Sequence, residues 1–91
     1  TYTINAGQMD SWLTLFNDHL VPLLREHDIQ VDGTWVNAER TQFIWVRSYG
    51  DTEDDLKTKE AAFYGSAWWR ANVDYVRSHL AHREIALIRS V

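Results

Sequence analysis

Ile29-Gln30-Val31-Asp32-Gly33-Thr34-Trp35-Val36-Asn37 and Gln42-Phe43-Ile44-Trp45-Val46-Arg47-Ser48-Tyr49 are two runs rich in β-branched and aromatic residues, separated by Ala38-Glu39-Arg40-Thr41. That spacing predicts an antiparallel hairpin of two strands. On its N-terminal side, Met9, Trp12, Leu13, Phe16, Leu20, Leu23 and Leu24 fall on one stripe of a 3.6-residue period, which predicts a helix from Met9 to His27. Pro22 lies inside it, removes one N–H and crowds the carbonyl four residues back, so a bend is expected near His19. Asp28 is placed to end the helix in the left-handed conformation.

On the other side of the hairpin, Gly50 to Asp55 punctuates the chain. Asp51 or Thr52 can cap a following helix, whose dipole favours the acidic cluster. Leu56 to Tyr64 and Ala67 to Leu80 read as a second helical stretch broken at Gly65-Ser66, with Trp69, Val73, Val76 and Leu80 inward. Glu84 to Val91 alternates as a last strand, and Thr1 to Ile4 as a first strand expected to be truncated, before a turn at Asn5-Ala6-Gly7. The order β-α-β-β-α-β predicts an α+β, ferredoxin-like fold: a four-stranded antiparallel sheet with both helices on one face.

Ninety-one residues suit one domain, 1–91, and 45% apolar residues exclude disorder. The formal charge of −4 opposes phosphate neutralisation, so nucleic acid is not an expected partner. The RNA-recognition motif shares the element order, but the third strand here lacks its Gly-rich basic pattern. With no cysteine there is no disulfide and no thiolate ligand, and no apolar run approaches the ~20 residues that span a bilayer. A cytoplasmic domain is expected, without membrane span, metal or cofactor.

Two helices cover one face of such a sheet, and the other face should then be polar if the domain lives alone. The third strand is apolar on both sides, with Phe43, Trp45 and Tyr49 against Ile44 and Val46. A homodimer that packs the sheet faces together is the simplest cover.

Several segments resemble the NIPSNAP family of the dimeric α/β-barrel superfamily: Tyr2-Thr3-Ile4 with Gly7 and Met9, Pro22-Leu23 with His27, Gly33-Thr34-Trp35, Phe43 to Tyr49, and Phe63-Tyr64-Gly65-Ser66 followed by Trp69-Arg70. Asp28 and Ala67 stand where the family usually has Gly and Pro, both at turns. The resemblance implies a ferredoxin-like dimeric α/β barrel and leaves the activity open. Animal members are described as adaptors, and related families on the scaffold include cofactor-free monooxygenases, lactone isomerases and haem proteins.

Arg47, alternating with Trp45 and Tyr49, is the first candidate for chemistry, because a guanidinium on an aromatic face can pair a carboxylate or enolate or stack on a ring. The competing reading pairs it with Asp32 or Glu39 across the hairpin. His19, beside the Pro22 bend, is the candidate proton carrier. Trp35, Trp45, Tyr49, Tyr64, Trp68 and Tyr75 are expected to line a site for a small aromatic or hydrophobic ligand between sheet and helices. His27 is explained by the helix terminus, and His79 and His82, three apart, lack a third metal ligand nearby. The expected function is therefore ligand binding, the alternatives being a cofactor-independent monooxygenase or isomerase using Arg47 and His19, and a non-catalytic adaptor.

Overall fold

The structure is a computed structural model that describes residues 1–91. Strand β1 (Tyr2–Ile4) leads through a turn at Gly7, where φ is +77°, into helix α1 (Met9–Leu15). A π-helical turn, Phe16–Leu20, joins α1 to α2 (Val21–Glu26). The hairpin β2 (Gln30–Val36) and β3 (Gln42–Ser48) follows, then α3 (Glu53–Tyr64), α4 (Ala67–Arg77) and β4 (Leu80–Arg83). The sheet order β2-β3-β1-β4, antiparallel at every pairing, is that of the ferredoxin-like fold.

The bend expected from Pro22 takes the form of the π turn, which contains His19. Pro22 has no N–H to give the Asp18 carbonyl, and the chain widens one turn earlier, so that the Val21 N–H reaches back five residues to the Phe16 carbonyl. Pro22 thereby falls in the first turn of α2, where a missing donor costs little. Asp28 takes the expected left-handed conformation at φ +55°.

Two expectations need correction. The second helical stretch runs from Glu53 and ends at Arg77 rather than Leu80, with the predicted break kept at Gly65-Ser66. The last strand is Leu80–Arg83, and Glu84 to Val91 carries no regular secondary structure. Leu80 to Arg83 are the residues that find a ladder: they pair with Ile4 to Tyr2, and Thr1 and Glu84 exchange backbone hydrogen bonds at its end. Alternation of apolar residues supplies a face, whereas a strand also needs a partner for its N–H and C=O groups.

The core lies between the sheet and the helices. Tyr2 and Ile4 from β1 and Phe43 from β3 meet Trp12, Phe16, Leu20 and Leu24 from the first helical segment and Phe63 and Val76 from the second. Phe43 packs edge-to-face at 4.8 Å from Phe16 and 5.7 Å from Trp12. By the hairpin register, Trp35 faces the same way as Ile44, and Gly33 as Val46, on the side away from Phe43. Gly33 is a close-approach glycine: a Cβ there would stand 2.5 Å from the Trp35 ring, which lies over it.

Candidate functional site

Strand alternation puts Trp45, Arg47 and Tyr49 on the helix-facing side, in line with Phe43. The Arg47 guanidinium carbon lies 4.6 Å from the Trp45 ring centroid and 5.7 Å from that of Tyr49. Arg40 pairs with Asp10 and His82 lies 3.5 Å from Glu84, while no carboxylate lies within ion-pair distance of Arg47. Asp32 instead accepts hydrogen bonds from Gln30 and Ser48. A half-buried cation without a counter-ion is costly, and ring faces offset about 0.5–2 kcal/mol of that.

The surroundings shift three groups. Burial acts to lower the Arg47 pKa, but the Tyr64, Tyr49 and Tyr2 phenols outweigh it and raise the value, so the guanidinium stays charged. Burial pushes the Tyr49 phenol up to about 12, with Arg47 pulling the other way and Glu60 adding to the rise. Burial also raises Tyr2 against the opposing charge of Arg47. The Tyr2 and Tyr49 phenols are thus neutral hydrogen-bonding groups at neutral pH.

Arg47 borders two cavities. The inner one, about 30 Å³, lies between sheet and helices and is lined by Tyr2, Trp12, Trp45, Tyr64 and Trp69 among others. The outer groove, about 570 Å³, runs between β3, α3 and the Glu84–Ile88 segment, and shares Tyr2, Trp45 and Arg47 with the inner cavity. Tyr49 lines the outer groove and Tyr64 the inner cavity, so four of the expected residues gather here: Arg47, Trp45, Tyr49 and Tyr64.

The others lie elsewhere. His19 stacks on Trp68 at 5.6 Å and 15°, and both line an open groove of about 420 Å³ between α1 and α4, together with Tyr75, Asp10, Ser11 and Asn72. Trp35 is 55% exposed on the opposite face of the sheet. The structure therefore does not bring His19 and Arg47 to one cavity.

Among the remaining histidines, His79 is buried with both ring nitrogens engaged: Nε2 with the Ser11 hydroxyl at 2.9 Å and Nδ1 with the Tyr75 carbonyl at 3.0 Å. A proton on Nδ1, donated to that carbonyl, leaves Nε2 to accept from Ser11. His82 pairs with Glu84 at the end of β4, away from His79's partners. His27 caps α2 and meets the edge of Phe63.

Sequence reading missed Trp12, Arg77 and Arg83 as members of the inner cavity. Trp12 looks like core from its helical spacing, and its Nε1, buried with no hydrogen-bond partner, is a property of tertiary packing alone.

A ferredoxin-like α+β domain with an aromatic-lined arginine between sheet and helices is the class that fold and site define. The family model described as NIPSNAP matches residues 1–90, and the chain belongs to that family. No curated protein and no solved structure matches the chain.

Proposed function

We propose that this chain is a homodimeric NIPSNAP domain that binds a small hydrophobic or aromatic ligand between sheet and helices, with Arg47 at the centre of the site, and that it works in the cytoplasm. The observation that carries the reading is the half-buried Arg47 guanidinium, set against Trp45 and Tyr49 and unpaired with any carboxylate. A half-buried guanidinium with no carboxylate beside it leaves a place for an anionic or polar ligand group as its partner. The outer groove has the volume of ordinary small-molecule sites, and Arg47 is among the residues that line it. The proposal is one of binding rather than turnover, since the proton carrier it would need, His19, lines a separate groove.

The test is a screen of small aromatic acids and phenols against the wild-type chain and Arg47→Ala, followed by tryptophan fluorescence, with circular dichroism as the control for folding. Ligands that bind the wild type should lose affinity about tenfold or more in the folded variant. Equal binding by both chains would remove Arg47 from the site.

A further inference from the structure

The inner cavity is electrostatically one-sided. Arg47, Arg77 and Arg83 line it, no Asp or Glu does, and the whole chain nevertheless carries a net charge of −4. None of the three arginines takes part in an ion pair. The Trp12 indole N–H, 1% exposed and without an acceptor, belongs to a residue of the same lining. The Tyr2 and Tyr64 hydroxyls are its neutral acceptors, so three guanidinium groups and an orphan N–H leave the cavity with donors in excess and no negative charge. The apolar remainder, including Phe16, Leu20 and Phe63, cannot supply one.

Size narrows the occupant. By the volume one water needs, ~10–15 Å³, a space of about 30 Å³ holds roughly two oxygen-sized groups. The outer groove has Trp45, Tyr49 and Leu56 for an apolar body, but Glu53, Glu60 and Glu84 line it as well and would repel a negative head. Charge thus sorts the two ends of a ligand, its anionic head to the inner cavity and its apolar body outward past Trp45 and Arg47.

We infer that the inner cavity seats the carboxylate of a small aromatic or branched apolar acid, with Arg47 where the cavity meets the outer groove, Arg77 and Arg83 on its exposed rim, and the Trp12 indole N–H as a further donor. This rests on the ligand-binding reading above and assigns the ligand its charge. Arg77 and Arg83 are exposed, one at the end of α4 and one at the end of β4, so replacing them leaves the core intact.

The experiment compares phenylacetate with phenethyl alcohol, the same ring with and without the negative head, by protein NMR at fixed salt. The readouts are the affinity and the Trp12 indole N–H signal. Phenylacetate should bind about tenfold more tightly than the alcohol, shift the indole signal, and lose most of that advantage in an Arg77→Gln, Arg83→Gln double variant. If acid and alcohol bind equally, the inference is overturned while the ligand-binding reading stands. A preference for the acid that survives the double substitution overturns it too, since Arg47 alone would then carry the charge. If neither probe binds, both readings fall.

Discussion

Phe43 and Arg47 are four residues apart on one face of β3, and only the substitution at Phe43 should lower stability. Phe43 is 1% exposed and wedged between Trp12 and Phe16, so Phe43→Ala should cost about 3–5 kcal/mol, read as a lowered urea midpoint. Arg47 is a desolvated charge without a counter-ion, and Arg47→Met should leave the midpoint unchanged or raise it while ligand affinity falls. A clear loss of stability in Arg47→Met would mean that the guanidinium is a structural prop. The period-two alternation that puts Trp45, Arg47 and Tyr49 together was legible in the sequence, because neighbours on a strand face need no tertiary information. Arg77 and Arg83 were not legible. One ends a helix and the other a strand, and only the folded chain brings them to the cavity that Arg47 lines.

At the scale of elements, the α3 start shows how closely local signals fix a boundary. The Thr52 hydroxyl accepts from the Asp55 N–H, and the Asp55 carboxylate accepts from the backbone N–H groups of Thr52 and Asp51. Thr52→Ala should destabilise the domain by about 1 kcal/mol in chemical denaturation. The bonds from Thr52, followed by that from Asp51, hold the Asp55 carboxyl below its ordinary value of 3.8. Its contribution is therefore present above pH 3.8 and lost as pH falls through the lowered value, and Asp55→Asn should remove that increment of acid sensitivity from a melting-temperature profile. Helix breaks were legible for the same local reasons: Pro22 for the π turn, and Gly65-Ser66 for the division between α3 and α4. The last strand was misplaced because its alternation is a local signal and its pairing is not. Glu84 to Val91 has the pattern of a strand with no neighbour to complete it.

On the scale of the whole molecule, the apolar surface left outside the core asks for a cover. Trp35 is 55% exposed on the sheet face away from the helices, Ile44 and Val46 beside it are half-buried, and Leu87 in the C-terminal segment is 72% exposed with Ile85 and Ile88. Water contact over that much hydrocarbon forfeits roughly 25 cal/mol per Å², which favours association through the same face of two copies. A charge placed at its centre, Val46→Glu, should dissociate the pair without unfolding the subunit, as judged by sedimentation and circular dichroism together. Element order and sheet topology followed from the sequence, since β-α-β-β-α-β has few right-handed solutions, but the partner of an exposed face is not encoded in any single element. Sedimentation velocity of the wild-type chain at micromolar concentration is the most direct measurement. A species of twice 10.7 kDa is the predicted result, and a lone 10.7 kDa species across that range would contradict it.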